Sequence, residues 1–277
     1  MKKFSNILIC TDLDGTLLDD EKKISKENIE AIEYFKDNGG YFTFVTGRMP
    51  FFVSNIYNEI RPNAPFGCIN GGGLYDCEKQ EYIWNQEMSR EVISMLECVD
   101  RELPSVGIQV NTPWHVFFCK ESDAMVEFRR VTGLPNLACG YKDVTEPFSK
   151  IVFACEEHEI ATLENFLRSQ PMAEKFDFIR SERTLFEILP KGINKGMAIK
   201  KLAEHLNIDI SRTIAVGDYD NDVAMLKAAG TGIAVENASA EAKAAADHIT
   251  VSNEKNAIAE IIYDIERGKY RFDRKAE

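Results

Sequence analysis

The sequence predicts an α/β fold: a doubly wound, mostly parallel core sheet assembled from both ends of the chain and interrupted by an inserted α+β domain. Three observations carry this reading. The first third alternates short apolar runs with helical patterns, the same alternation returns after Asn194, and the stretch between mixes helices with hairpin-like strands. At 277 residues the chain is long enough to bury one large core or two modest ones.

Phe4 to Cys10 reads as a buried strand. Ser25 caps a helix carrying Ile29, Ile32 and Phe35 on one face, and Gly39 and Gly40 end it. Tyr41 to Val45 is the next strand, Pro50 opens a second helix, and Phe66 to Ile69 is a third short strand. Strands separated by single helices imply right-handed crossovers and parallel pairing. A hairpin over Leu74 to Trp84 precedes a helix with Val92, Ile93, Leu96, Val99 and Leu103 on one side, then strands around Ile108 and Val116, in a block that runs to about Leu189. From Asn194 there follow a helix to Asn207, the strand Thr213 to Val216, a helix through Met225, the strand Gly232 to Val235 and a last helix over Ile258 to Ile265. The expected division is a core made of residues 1–83 and 190–277 with residues 84–189 inserted.

Charge and composition narrow the partners. Lys and Arg number 33 against 45 Asp and Glu, a net charge of −12 with no basic cluster, which speaks against nucleic acid and against an anionic membrane surface. No stretch approaches the roughly 18 consecutive apolar residues of a membrane span. Behind the two N-terminal lysines the apolar run Ile7 to Cys10 is too short for an export signal. Seven cysteines without a C-x-x-C pair read as buried thiols of a cytoplasmic protein. Oligomeric state is left open.

The chemistry concentrates in acids. Asp12 and Asp14 follow the first strand directly, and residues two apart in an extended segment project to the same side. Gly15 and Thr16 allow a sharp turn behind them. Asp218, Asp220 and Asp222 repeat the context of apolar strand, glycine and acids. Ligands of open α/β sheets bind beyond the carboxyl ends of strands, so two such loops can aim their carboxylates at one point. Gathered carboxylates repel, and a hard divalent cation, Mg²⁺ with a phosphate partner, relieves that repulsion. A single acidic loop is ordinary solvated surface; two at equivalent places point to a site. An EF-hand is excluded, because the second loop lacks the glycine at its sixth position and is entered from a strand. Thr46, ending the second strand, and Lys195, opening a helix, fit a phosphate.

Other candidates are weaker. His115, His158, His205 and His248 lack paired metal-ligand spacing, so no zinc site is expected. Trp84 and the run Trp114 to Phe118 are read as strand packing, and Arg48 as reaching either a substrate phosphate or solvent.

With these segments in place, the chain resembles the haloacid dehalogenase superfamily, and within it the Cof-like phosphatases with the larger inserted cap. DLDGT looks like the first motif, VTGR the second, Lys195 the third and GDYDND the fourth, in family order, while NGGGLYD from Asn70 resembles a stretch typical of that subfamily. The resemblance implies a Rossmann-like core with an α+β cap that closes to exclude water and select the substrate. It implies that Asp12 is the nucleophile and Asp14 the acid and base. Mg²⁺ is expected on the Asp12 carboxylate, the Asp14 main-chain carbonyl and Asp218, with Asp222 orienting its waters or Lys195. Thr46, Gly47 and Lys195, with Asn221 and Asn70 nearby, are expected to hold the phosphoryl group. Metal binding is expected to keep Asp12 ionised, and repulsion to help Asp14 hold a proton.

The implied activity is Mg²⁺-dependent hydrolysis of a phosphomonoester, a sugar phosphate or nucleotide-type cofactor, through an aspartyl-phosphate. A phosphomutase or phosphotransferase on the same core, and a non-catalytic phosphate-ligand sensor, are the alternatives. Two departures stand out. Val235 and Glu236 replace a methionine and a small residue, which puts an acid near the expected pocket rim, and Asn256 replaces a glycine.

Overall fold

The apolar run that opens at Phe4 becomes strand only at Leu8. Asn6 takes a left-handed φ of 61° and Ile7 N donates to Phe4 O at 3.1 Å, so the first residues turn before β1 (Leu8–Thr11) begins. The computed structural model describes residues 2–270 and 272. Then come α1 (Lys26–Asp37), β2 (Tyr41–Phe44), α2 (Ser54–Ile60), β3 (Phe66–Cys68), β4 (Gly73–Asp76) and β5 (Glu81–Asn85). As expected, the Ser25 hydroxyl caps α1 by accepting from Asn28 N at 3.2 Å.

The middle of the chain supplies α3 (Val92–Glu102), β6 (Gly107–Asn111), β7 (Val116–Lys120), α4 (Asp123–Thr132), β8 (Leu137–Ala138), β9 (Lys150–Ala154), α5 (Ile160–Arg168), β10 (Phe176–Glu182) and β11 (Leu185–Pro190). The last third adds α6 (Lys195–His205), β12 (Thr213–Gly217), α7 (Val223–Ala228), β13 (Thr231–Ala234), α8 (Ala240–Ala245), β14 (His248–Ile249) and α9 (Ala257–Glu266). The short α8 and β14 carry too little periodicity to be read from sequence. Asn256 adopts the left-handed conformation (φ 59°, ψ 48°) that asparagine tolerates in place of glycine.

Two compact units result, Met1–Trp84 with Asn194–Glu277, and Asn85–Ile193. In the first, among the described residues, five strands form a parallel sheet in the order β14-β13-β12-β1-β2. β1 and β12 run in register, Leu8 beside Thr213 through Thr11 beside Val216. The chain leaves β1 toward β2 on one side and returns to β12 on the other, which opens the crevice of a doubly wound sheet at β1. Strand β3 does not join this sheet in full. It touches it through an isolated bridge between Val45 and Gly67 and otherwise pairs with β4 in a three-stranded antiparallel sheet with β5. Trp84, expected among the inserted residues, belongs to the first unit, where the Lys201 ammonium stands 4.2 Å from its ring centroid, and residues 190–193, expected in the core, belong to the second.

The second unit is α+β. Its six strands, in the order β10-β11-β9-β6-β7-β8, pair antiparallel except for β7 with β8. Ile108, Val110, Ile151, Phe153 and Phe186 from one face of this sheet pack with Val92, Leu96 and Val99 of α3 and Leu163 and Leu167 of α5. The alternate positions Gln109, Lys150 and Glu187 turn to the other face, where the Lys150 ammonium bonds both Glu187 oxygens at 3.0 Å. All seven cysteines are free thiols. No helix among the described residues is long and apolar enough to cross a membrane.

Candidate active site

Three adjacent parallel strands end in the residues singled out by sequence. Asp12 follows β1 and continues its ladder, its N–H donating to Val216 O at 2.8 Å; Asp218 follows β12; Thr46 follows β2, one residue beyond Val45. One carboxylate oxygen from each of Asp12, Asp218 and Asp222 lies within 4.8 Å of the other two. Lys195, only 1% exposed, joins them as the first residue of α6, with Nζ 2.6 Å from Oδ1 of Asp12 and 2.6 Å from Oδ1 of Asp222. The Asn194 side chain caps α6 by accepting from Met197 N at 3.1 Å, so the ammonium projects at the positive end of the helix.

Local backbone explains how two distant loops close on each other. Gly15 has φ +80°, and a Cβ there would stand 2.6 Å from Oδ2 of Asp218, so only glycine fits in both conformation and space. Thr16 then donates its hydroxyl to Oδ1 of Asp218 at 2.7 Å, and Asn237 Nδ2 donates to the Gly15 carbonyl at 2.8 Å. Asp222 shapes its own loop by accepting from Asp218 N at 2.9 Å and Tyr219 N at 3.1 Å with Oδ2. Its two oxygens are thus divided between the loop amides and Lys195, which favours the reading in which Asp222 orients the lysine.

The remaining predicted residues gather beside this centre. Asn221 donates to Oδ1 of Asn70 at 3.1 Å. Asn70 N donates to Thr46 O at 3.0 Å, and the missing side chain of Gly47 leaves room for the Asn70 amide, which a Cβ would meet at 3.0 Å. Ile69, Asn70 and Gly71 take three successive positive φ angles of 56°, 53° and 92°. Such backbone is costly for a β-branched residue and is held here by the bonds from Ile69 N to Arg48 O and from Gly72 N to Ile69 O. Nothing in the residue pattern announces a left-handed isoleucine.

Asp14 is where the structure departs most from expectation. Its carboxylate receives Arg48, Nε to Oδ2 at 2.9 Å and Nη2 to Oδ1 at 2.7 Å, together with Lys22 Nζ on Oδ1 at 3.0 Å. Burial alone raises its pKa, but the bonds and charges of Arg48 and then Lys22 outweigh this and hold the carboxyl below its ordinary value. The expectation that repulsion helps Asp14 keep a proton is therefore reversed, because the bonds and charges of Arg48 and Lys22 stabilise its ionised form. Sequence missed Lys22 altogether, and read Thr16 only as part of the turn behind Asp14, not as a partner of Asp218. Glu236, expected at a pocket rim, is exposed and paired with Lys255 at 3.0 Å.

Electrostatics of the centre call for a cation. Burial, with the charges of Asp222, Asp218 and Asp14, drives Asp12 well above the ordinary carboxylate range despite Lys195. Burial and Asp222 push Asp218 up to about 6. Burial tends to lower the Lys195 pKa, yet Asp12 and Asp222 raise it on balance, so the ammonium stays charged. Three carboxyl groups facing one ammonium leave excess negative charge in a largely buried space, and all three offer the oxygen ligands that a hard divalent ion takes. The cluster fits a divalent metal.

The family model for haloacid dehalogenase-like hydrolases matches residues 9–262. A putative phosphatase of Streptococcus pyogenes serotype M6, M6_Spy0533, is 29% identical over 92% of this chain and 96% of its own. The 5-amino-6-(5-phospho-D-ribitylamino)uracil phosphatase YitU of Bacillus subtilis is 26% identical over the same shares, 92% and 96%. Among solved structures, a haloacid dehalogenase-like hydrolase from Bacteroides thetaiotaomicron superposes with a TM-score of 0.80 at 27% identity, covering 94% of this chain and 99% of that one. With the acids, threonine and lysine assembled as above and the match running almost end to end, this chain belongs to the haloacid dehalogenase-like hydrolase family, among its phosphatases.

Proposed function

We propose that the protein is a Mg²⁺-dependent phosphomonoester hydrolase that works through an aspartyl-phosphate on Asp12, with a small phosphorylated metabolite as substrate. The observation that carries this reading is the buried pair of Asp12 and Lys195 at 2.6 Å, ringed by Asp218 and Asp222 at the carboxyl end of β1. A binder of phosphate gains nothing from a carboxylate apposed to its anion. A nucleophile needs that apposition.

In the proposed sequence an Asp12 oxygen attacks phosphorus, the bond from phosphorus to the ester oxygen breaks, and Asp14, in the minor protonated form that Arg48 and Lys22 leave it, supplies the proton for the departing oxygen. Water then attacks the aspartyl-phosphate, Asp14 takes its proton, and inorganic phosphate leaves with Asp12 regenerated. Thr46, Gly47, Asn70, Asn221 and Lys195 hold the phosphoryl oxygens in this reading, with the Lys195 ammonium opposing charge that grows during transfer. Mg²⁺, on the Asp12 carboxylate, the Asp14 main-chain carbonyl and Asp218, would supply further positive charge against that of the phosphate. Substrate selection is assigned, within the same proposal, to side chains of the Asn85–Ile193 unit. YitU is named for a phosphorylated ribitylaminouracil, which supports a small-metabolite substrate here.

Release of 4-nitrophenol from 4-nitrophenyl phosphate tests the reading. Turnover is expected with Mg²⁺, none with EDTA, and none from Asp12→Asn with its fold intact. Comparable activity from that variant refutes the nucleophile, and inactivity of the wild type across a broad panel of phosphorylated metabolites refutes the hydrolase.

A further inference from the structure

Asp14 has four acceptor directions on its two carboxylate oxygens. Three are filled: Arg48 Nη2 and Lys22 Nζ saturate Oδ1, and Arg48 Nε takes one side of Oδ2. Among the described residues a single direction remains, on Oδ2. The fork that leaves it is itself fixed. Arg48 N donates to the Thr46 hydroxyl at 3.2 Å, and Arg48 O accepts from Ile69 N at 3.1 Å, so the main chain that carries the guanidinium is tied to Thr46 on one side and Ile69 on the other. A planar guanidinium holds a carboxylate in one orientation, which an ammonium cannot do.

Resting on the hydrolase reading above, we propose that Arg48 is a positioning residue: it holds the carboxylate of Asp14 with one acceptor direction open, and through that direction Asp14 takes the proton of water in the hydrolysis of the aspartyl-phosphate. Water gives its proton to Oδ2 as its oxygen bonds to phosphorus and the bond from phosphorus to Asp12 breaks. Arg48 does not touch substrate in this account. With side chains 30% and 38% exposed, the pair contributes little to stability, so its loss is read in kinetics rather than in folding.

Stopped-flow hydrolysis of 4-nitrophenyl phosphate by the Mg²⁺-loaded protein separates the two halves, because 4-nitrophenolate leaves without needing a proton. For Arg48→Ala the first turnover should stay within about 3-fold of wild type while the steady-state rate drops about 10- to 100-fold, short of the full worth of a general base because Asp14 itself remains. A burst of about one nitrophenolate per site therefore appears. Arg48→Lys keeps the charge but not the fork and should resemble Arg48→Ala more than wild type. Equal losses in both phases, a steady-state rate unchanged, full rescue by Arg48→Lys, or a raised KM with kcat preserved each overturns the proposal; the last would make Arg48 a substrate ligand. A wild type that releases no nitrophenolate overturns the hydrolase reading instead, and the two failures are distinct.

Discussion

Lys195 and Asp12 form a buried ion pair whose ammonium, 2.6 Å from Asp12, is equally close to Asp222. Removing one partner from a buried cluster leaves uncompensated charge, at a cost of about 3–5 kcal/mol. Lys195→Met should therefore lower the first thermal transition markedly in EDTA. Because Asp12 and Asp222 would then lack the Lys195 ammonium, Mg²⁺ should raise the melting temperature of the variant more than that of wild type. A variant that melts like wild type in EDTA would show that the acids are neutralised some other way.

The metal's grip should depend on pH. Asp218 holds its proton to about 6 in the folded protein without metal, against 3.8 ordinarily, and Asp12 is also raised. Between those values the unfolded chain has released a proton that the folded one keeps, so the contribution of Asp218 to stability falls as pH rises through the window. Metal binding runs the other way, since it requires the deprotonated carboxylates. The Mg²⁺-induced rise in melting temperature should be larger at pH 7.5 than at pH 5, as differential scanning fluorimetry would read directly; an equal or larger rise at pH 5 contradicts the assignment of Asp218 as a ligand.

Gly15 offers a test that leaves every charged group in place. Its φ of +80° disfavours any side chain, and a Cβ would press on Oδ2 of Asp218 at 2.6 Å and on Cγ at 3.1 Å. Gly15→Ala should cost about 1–3 kcal/mol of stability from the backbone strain. It should also weaken Mg²⁺ binding by calorimetry at least tenfold, since Asp218 must move away from Asp12. Unchanged affinity would mean that the two loops need not approach so closely for metal to bind.

Much of this centre was legible in the sequence for a simple reason. Residues carried on parallel strands are located by topology, so Asp12, Thr46 and Asp218 needed only the order of β12, β1 and β2 to converge, and Lys195 only the start of a helix. What was not legible depends on loop conformation and side-chain reach. Arg48 and Lys22 meet Asp14 across 34 and 8 residues through long flexible side chains, and neither spacing has a period that marks it. The left-handed run at Ile69, Asn70 and Gly71 is equally silent, because isoleucine is the residue least expected there. For the same reason the ionisation of Asp14 was misjudged: it depends on the nearest cations, and these come from turns.

Asp14 itself is tested by varying what it must protonate. Asp14→Asn keeps the shape of the side chain and can still face Arg48, but can neither supply nor take a proton. On an alkyl phosphate, whose alkoxide is a poor leaving group, kcat/KM should fall by about 10²- to 10⁴-fold. On 2,4-dinitrophenyl phosphate, whose phenolate departs unaided, kcat/KM should fall by less than about 10-fold, because that ratio reports the steps up to leaving-group departure. The leaving-group dependence of kcat/KM should thus steepen in the variant. A uniform loss across the series would move Asp14 from proton transfer to a purely structural or metal-holding part, and would leave Arg48 and Lys22 as charge balance around it.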